Sequence, residues 1–144
     1  MSESDEKKEQ SAESGGDVEA FLAGSTFAVV GASGDRSKFG NKVLRAYQQQ
    51  DRTAHPVNPN AEEIEGVDAS PTLSAIAVAP HGVSIVTPPE VTEQIVDEAI
   101  KLGIRHLWMQ PGAESDAAIR KARDAGINVI AGGPCVLVRF GFDD

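Results

Sequence analysis

Short apolar runs alternate with amphipathic stretches along most of this chain. The run Thr26–Val30 is apolar and rich in β-branched residues, which is typical of a strand buried on both faces of a parallel sheet, and Val83–Val86 is a further predicted strand. The stretches from Lys38 to about Gln49 and from Val91 to Ile100 instead place apolar residues at helical spacing. This alternation predicts an α/β domain in which helices cover both faces of the sheet.

Further elements complete the pattern. Short strands are predicted at Thr53–Val57, Val67–Ala69, Ile104–Met109 and Ile127–Ala131, and helices at Val18–Leu22 and Ser115–Ala125. Ser70 and Pro71 open a helical turn, and the type of the apolar segment Cys135–Phe140 stays open. We therefore expect a doubly wound, mostly parallel, Rossmann-like sheet in the order 3-2-1-4-5-6, forming a single domain.

The motif Thr87-Pro88-Pro89-Glu90 predicts a helix start. Thr87 can cap the helix, Pro88 suits its first position, and Glu90 stands three residues after the cap. In the predicted strand order, this segment and the loop after the first strand meet at the switch point of the sheet. Ligands bind at that point in such folds.

A glycine-rich turn follows the first strand. Gly31–Gly40 leads into a predicted helix start, where unpaired backbone N–H groups and a partial positive charge favour phosphate. The ten residues from 36 to 45 contain no acid and hold the basic residues Arg36, Lys38, Lys42 and Arg45. A polyphosphate ligand would explain this basic patch; an ordinary strand-to-helix turn with a solvated basic face would give the same pattern.

Composition narrows the class of protein. The 144 residues carry a net charge of -9, with 22 acidic and 13 basic residues, which disfavours nucleic acid and anionic membranes as partners. No apolar run approaches the roughly 20 residues that a membrane helix needs. The polar, acidic N-terminus has no signal-peptide character, and a lone cysteine, Cys135, suits a reducing cytoplasm. Residues 1–17 are predicted to form a disordered acidic tail before the domain at 18–144.

The spacing of the glycines indicates whether the turn after the first strand could bind a dinucleotide such as NAD. A G-x-G-x-x-G fingerprint and an acid about 20 residues later would indicate NAD, but the glycines here are Gly31, Gly34 and Gly40, and no acid stands at that place. NAD is therefore disfavoured. Arg36 and Lys38 could meet a ribose phosphate, so NADP stays open. No P-loop motif is present.

Four motifs in register resemble a known family. Gly31-Ala32-Ser33, Pro56-Val57-Asn58-Pro59, Thr87-Pro88-Pro89 and Trp108-Met109-Gln110-Pro111-Gly112-Ala113 resemble the small stand-alone CoA-binding proteins. These proteins are similar to the CoA-binding domain of succinyl-CoA synthetase and of ADP-forming acyl-CoA synthetases. The resemblance covers about Phe27 to Val138.

The resemblance implies a Rossmann-like fold that holds coenzyme A or an acyl-CoA. It also implies three groups of binding residues. Ser33, Arg36, Lys38, Phe39 and Gly40, beside Gly31 and Ala32, would contact the phosphates and the nucleotide end. Asn58, Pro59 and Asn60 would line the far wall, and Thr87, Pro88 and Pro89 would flank the cofactor across the switch point.

The sequence offers little catalytic chemistry. His55, His81 and His106 are scattered along the chain, and no metal-spaced cluster of Cys, His and carboxylates is present, so no metal is expected. Ser33 lacks the G-x-S-x-G elbow of a hydrolase. Cys135 has reactive potential beside CoA, although an inert buried cysteine is the simpler interpretation. The large synthetases also have a phosphohistidine-bearing domain and a nucleotide-grasp domain, and a chain of 144 residues is too short to contain either of them.

Three hypotheses follow. The first is a non-catalytic binding module for CoA or acyl-CoA that acts as a carrier, a sensor or the partner subunit of an acyl-CoA enzyme. The second is an NADP-dependent oxidoreductase or its nucleotide-binding subunit. The third is an interaction domain whose pocket is vestigial. An exposed sheet edge would also allow a homodimer.

Overall fold

A computed structural model describes residues 16–144 as an α/β domain. The helices are α1 (Val18–Leu22), α2 (Phe39–Gln49), α3 (Pro89–Leu102), α4 (Asp116–Asp124) and α5 (Val136–Phe140). The strands are β1 (Thr26–Val30), β2 (Thr53–Val57), β3 (Glu63–Ile64), β4 (Val67–Asp68), β5 (Gly82–Ile85), β6 (His106–Met109) and β7 (Asn128–Ile130), and a 3₁₀ turn spans Leu73–Ala75. The tail predicted at residues 1–17 lies outside the described residues except for Gly16 and Asp17.

Five parallel strands form the main sheet in the order β2-β1-β5-β6-β7. This confirms the doubly wound arrangement and places the ends of β1 and β5 side by side at the switch point. Both neighbours of β1 are reached by crossovers, so the loops after β1 and β5 open into the same crevice.

The prediction that Val67–Ala69 forms a strand of the main sheet is wrong. Val67–Asp68 pairs antiparallel with Glu63–Ile64 and makes a separate two-stranded hairpin. The segment joins the main sheet at an isolated parallel bridge between Val57 and Ser70. The hairpin prevails because Glu65 and Gly66 both have positive φ, at 51° and 81°, and two such residues close the tight turn that suits a two-residue hairpin loop.

The sheet separates two apolar layers. Along β1, Phe27 and Val29 face the layer of α1, α2 and α5, whereas Ala28 and Val30 face the layer of α3 and α4. This alternation follows the period of two in a strand, and both layers are apolar because helices cover both faces. β1 is therefore buried on both faces from Phe27 to Val30, as its apolar sequence predicts, and β5 is buried along its whole length.

Two helix starts differ from the prediction. Pro88 caps α3 and Pro89 is its first residue, while Thr87 makes no cap and shares a 2.8 Å hydrogen bond with the Thr92 hydroxyl. Pro88 stays extended, with ψ at 150°, because a residue that precedes a proline avoids the helical region. The turn predicted from Ser70 and Pro71 begins later, after an extended Thr72.

The remaining helix boundaries lie closer to the predicted ones. Lys38 is the extended residue before α2 rather than its first residue. Ser115 caps α4 by accepting from the Ala118 N–H. The closing segment whose type stayed open is a helix from Val136 to Phe140, and Gly141 ends it with a φ of 62°. Among residues 16–144, no helix combines the length and apolar character needed to cross a bilayer.

Two of the histidines expected to be scattered lie together. The rings of His81 and His106 stack with centroids 4.3 Å apart. Asn128 Nδ2 donates to His106 Nδ1 at 3.1 Å and to the Asp17 carbonyl at 2.8 Å, and the Asp17 N–H donates to Asn128 Oδ1 at 2.8 Å. These contacts fasten the start of α1 to β6 and β7 and require an unprotonated Nδ1 on His106.

Acid is expected to weaken this attachment. Burial, and then the nearby His81, hold the pKa of His106 below its usual 6.5, with Asp17 acting the other way and Arg105 acting with His81. The unfolded chain then binds more protons than the folded one below about pH 6.5, so the free energy of unfolding should fall as the pH drops through that range. Urea titrations across this range measure the slope.

The variant His106→Gln should flatten the pH dependence. The matched control is His55→Gln in β2, on the other side of β1 from β5 and β6, which should retain it. An equal slope in His106→Gln and the parent would contradict the assignment.

Candidate functional site

A cleft of about 520 Å³ opens at the carboxyl ends of β1, β2 and β5. Its lining comes from the loop after β1, the end of β2, the 3₁₀ turn and one face of α3. The lining residues are Val30, Gly31, Ala32, Ser33, Lys38, Val57, Asn58, Pro59, Pro71, Thr72, Leu73, Thr87, Val91, Gln94, Ile95 and Glu98. Another hollow, of about 580 Å³, lies against Thr26, His55 and the β3–β4 hairpin, away from the strand ends where such sheets bind ligands.

The fold brings together about half of the predicted binding residues. The members that line the cleft are Gly31, Ala32, Ser33, Lys38, Asn58, Pro59 and Thr87. Those that do not line it are Arg36, Phe39, Gly40, Asn60, Pro88 and Pro89. The first set belongs to the loops that follow β1, β2 and β5, as expected for a ligand at the switch point.

The sequence interpretation missed one wall of the cleft. Val91, Gln94, Ile95 and Glu98 stand at helical spacing on α3, and Pro71, Thr72 and Leu73 face them from the 3₁₀ segment. The sequence interpretation gave Val91 and Ile95 only as apolar residues at helical spacing and did not connect them with a site. The polar residues Gln94 and Glu98 at the same spacing were the available signal that this face is partly open.

Two glycines allow the loop to pass closely between its neighbours. Gly31 has a φ of 95°, and a Cβ there would lie 2.1 Å from the Val86 carbonyl oxygen. At Gly40 a Cβ would lie 2.0 Å from the Gly31 carbonyl oxygen. The start of α2 therefore packs backbone against backbone on the loop, which holds the helix N-terminus at the cleft.

Short side chains shape the rest of the loop. The Asp35 N–H donates to Ser33 Oγ at 3.0 Å, and the Ser37 N–H and hydroxyl both donate to Asp35 Oδ1, at 2.9 and 2.7 Å. These two bonds from Ser37, with the nearby charge of Lys38, hold the pKa of Asp35 below its usual range. Ser33 Oγ accepts this one bond, and its hydroxyl proton is used in none of the hydrogen bonds found among residues 16–144.

Asn58 ties the end of β2 to this loop. Its Nδ2 donates to the Ala32 carbonyl at 2.8 Å, its Oδ1 accepts from the Asn60 N–H at 2.7 Å, and its own N–H donates to the Ser70 carbonyl at 2.9 Å. Both polar atoms of the side chain are used within the protein. Asn58 therefore shapes the wall, and Asn60 supports it through its backbone.

The basic patch divides into cations with different partners. Arg45 is buried and donates to Asn41 Oδ1 at 2.7 Å, the Arg36 carbonyl at 3.1 Å and Asp144 at 3.0 Å. Lys42 also pairs with Asp144, at 3.1 Å, and these two cations hold the pKa of that carboxyl below its usual range. Lys42 and Arg45 thus stabilise the C-terminal end of the domain.

Lys38 is the cation of this patch that lines the cleft. No carboxylate oxygen of residues 16–144 forms an ion pair with its ammonium group within 4.0 Å. Arg36 lies outside the lining, 3.5 Å from Glu65. Of the basic residues in the patch, Lys38 is therefore the one placed to meet an anion in the cleft.

The lining of the cleft also contains a carboxylate that is held by hydrogen bonds. Glu98 Oε2 accepts from the Ser74 N–H at 2.9 Å and from its hydroxyl at 2.6 Å. Leu73, Val91 and Ile95 contribute apolar side chains to the same lining. The cleft therefore suits a ligand with an anionic group, an apolar body and a hydrogen-bond donor.

Groups with reactive potential lie elsewhere. Cys135 lines a hollow with Val18, Trp108 and Pro134, on the α1 side of the sheet. The cleft, with Leu73 and Ile95, lies on the α3 side. Within residues 16–144, no group of three or more His, Cys, Asp or Glu side chains is placed to hold a metal ion.

Known proteins share this fold and this sequence pattern. The sequence model of the family described as "CoA binding domain" matches residues 25–140. A conserved hypothetical protein from Pyrococcus furiosus is 35% identical, with a TM-score of 0.75 over 79% of this chain and 97% of its own. A hypothetical protein from Pyrococcus horikoshii is 28% identical, with a TM-score of 0.80 over 85% and 86%.

A larger enzyme also contains this fold. The dinucleotide forming acetyl-coenzyme A synthetase 1 of Ca. Korarchaeum cryptofilum, in complex with phosphate and ADP, is 27% identical with a TM-score of 0.71. The match covers 80% of the present chain but 27% of the synthetase. The present chain is thus similar to one part of that enzyme and to nearly the whole of the small archaeal proteins.

Proposed function

Because the chain belongs to the CoA binding domain family, we propose that it binds coenzyme A or an acyl-CoA in the cleft at the switch point. The observation that carries the proposal is the joint lining of that cleft by the Gly31–Ser33 loop, Lys38 and the apolar wall of Leu73 and Ile95. Coenzyme A combines a pyrophosphate and a ribose phosphate with an adenine ring, and the pyrophosphate and the adenine ring each have a chemical counterpart in this lining.

The pyrophosphate of the ligand would lie at the start of α2. Backbone N–H groups after Gly31 and the Lys38 ammonium can receive the pyrophosphate, with Ser33 donating from its hydroxyl. Gly40 and Phe39 act indirectly, by packing the helix start against the loop. Thr87, Pro88 and Pro89 border the switch point, where the remainder of the cofactor would leave the cleft.

The apolar part of the cleft suits the adenine ring. Leu73 and Ile95 offer flat apolar contact, and the Glu98 carboxylate can accept from an exocyclic amino group. Glu98 is fixed by Ser74, so it would act as a preorganised acceptor. The bound cofactor would supply a thiol or thioester; this chain's residues would hold it and orient it.

We propose a non-catalytic role, as a carrier, a sensor or the partner subunit of an acyl-CoA enzyme in the cytoplasm. The match to 27% of a synthetase supports a module that works beside other domains or chains. A homodimer is a further proposal, for which the solution mass is the test.

The direct test is calorimetric titration of the full chain with CoA, acetyl-CoA and NADPH in parallel. Micromolar binding of CoA with no NADPH signal supports the proposal. Binding of NADPH alone would favour an oxidoreductase, and the absence of binding to any of the three compounds would indicate a vestigial pocket. Either of these results would overturn the proposal.

Replacing Lys38 with alanine is expected to weaken CoA binding about tenfold, or ~1.4 kcal/mol, because a charge-assisted contact to phosphate is lost. Affinity of the parent should fall with added salt, and this dependence should be smaller in the variant. The control is Lys101→Ala, which removes an exposed cation in the last turn of α3. Equal affinities of Lys38→Ala and the control would place the phosphates elsewhere.

A further inference from the structure

Arg36 is held by an acid outside the cleft. Its Nε lies 3.5 Å from Glu65 Oε2, and the Arg36 side chain is 65% exposed against 20% for Glu65. Resting on the proposed function, we propose that Glu65 is a specificity-determining residue of the same site. Its carboxylate competes for Arg36 with a phosphate monoester on the ribose of the ligand.

Glu65 is fixed next to the loop after β1, where the phosphates are proposed to bind. Asn41 is fully buried, and its Nδ2 donates both to the Ser33 carbonyl at 2.8 Å and to Glu65 Oε2 at 3.0 Å. Gln48 Nε2 donates to the Glu65 carbonyl at 3.2 Å. One buried amide therefore links the loop to the acid, so the position of the carboxylate is set by the same contacts that set the loop.

The backbone at Glu65 is a further indication. Its φ of 51° lies in the left-handed region, which costs conformational energy for a residue with a Cβ. Asn or Gly is the usual choice at such a turn position. Such strain is often found at functional sites, and here it occurs at the residue whose side chain contacts Arg36.

The placement of the charges selects the phosphate involved. Lys38 and the helix start serve the cleft itself, where the pyrophosphate would lie. Arg36 and Glu65 lie beyond the lining, on the side of the hairpin that follows β2. The ribose is bonded directly to the pyrophosphate, so a phosphate monoester on that ribose is the further anionic group of the ligand that would reach Arg36.

The competition is balanced because the ion pair is largely exposed and weak. A phosphate dianion offers the guanidinium more charge and bidentate geometry, so it can displace the carboxylate. Glu65 stays in place through Asn41, and its negative charge then repels the bound phosphate. The acid thereby lowers affinity for ligands that carry the ribose phosphate and leaves affinity for those without it unchanged.

The experiment compares CoA with dephospho-CoA, which lacks that phosphate. Glu65→Gln keeps an oxygen to accept from Asn41 and removes the charge, so the preference for CoA over dephospho-CoA should rise roughly threefold or more. Arg36→Met should lower the same preference. The matched control is Glu62→Gln, which removes an exposed acid three residues earlier and should leave the preference unchanged.

The outcomes are distinguishable. Calorimetry gives both affinities for each variant, and thermal melting confirms that each variant is folded. Equal changes for both ligands in Glu65→Gln, or the same gain in Glu62→Gln, would overturn the inference while the proposed function stands. Should Glu65→Gln fail to fold, an unchanged preference in Arg36→Met would overturn the inference. Absence of CoA binding in the parent chain would overturn both the inference and the proposed function.

Discussion

Replacing Gly40 with alanine is expected to lower the free energy of unfolding by about 3 kcal/mol or more. The new Cβ would lie 2.0 Å from the Gly31 carbonyl oxygen and 3.2 Å from Ala32 Cα, and both are backbone atoms that cannot turn aside. Relief of this overlap requires α2 to move away from the loop after β1. The same movement would displace the helix start from the cleft, so nucleotide affinity should fall together with stability.

Gly34→Ala is the matched control in the same loop. A Cβ at Gly34 meets no atom within 4 Å, and its φ lies outside the left-handed region. The substitution removes freedom from the unfolded chain and should be neutral or stabilising by ~0.5 kcal/mol. Urea denaturation measures both variants. Comparable losses in the two would mean that the loop does not depend on the close approach at Gly40.

The second large effect is expected at Asn41. Its Nδ2 bonds the Ser33 carbonyl and Glu65, and its Oδ1 accepts from the buried Arg45 Nε at 2.7 Å. Asn41→Ala leaves Arg45 with one contact fewer in a buried environment, which costs more than the hydrogen bond itself. We expect a loss of about 2–4 kcal/mol in the free energy of unfolding.

The matched control for this substitution is Asn60→Ala. Asn60 is exposed and bonds Asn58 through its backbone N–H, which alanine retains. Its loss should stay within about 0.5 kcal/mol. A loss at Asn41 no greater than that at Asn60 would show that Arg45 and the loop find other partners. Denaturant titration measures both losses, and an unchanged slope of the free energy of unfolding against denaturant concentration shows that the compactness of the denatured state has not changed.

Local pattern was a good guide to the sheet. β-branched apolar runs, helical spacing and glycine stops follow from residue-level sterics and burial, and they led to the order of the five main strands. The errors arose where two local rules compete. Pro88 and Pro89 both favour a helix start, and the restriction on the residue before a proline moved the start of α3 by one residue. The Glu65-Gly66 turn likewise paired a predicted sheet strand with its own neighbour.

The roles of the basic residues depend on their partners in the fold, which the spacing of residues along the sequence does not predict. Arg36, Lys38 and Arg45 lie within ten residues and read as a single patch. In the fold one lines the cleft, one pairs with a hairpin acid, and one is buried under the C-terminal segment. Their partners Glu65 and Asp144 are distant in sequence, and no local rule predicts such pairs.

The amino-acid sequence by itself determined the class of fold, because the spacing of apolar residues distinguishes strands from helices, and it indicated the family through four motifs that resemble it. That the glycine-rich turn after β1 binds phosphate stays a prediction. The tertiary structure decided which cations face the cleft, that one side of α3 forms its wall, and that His81 meets His106. These features depend on contacts between segments far apart along the chain. Their energies arise from burial and pairing, which exist only after the sheet has assembled.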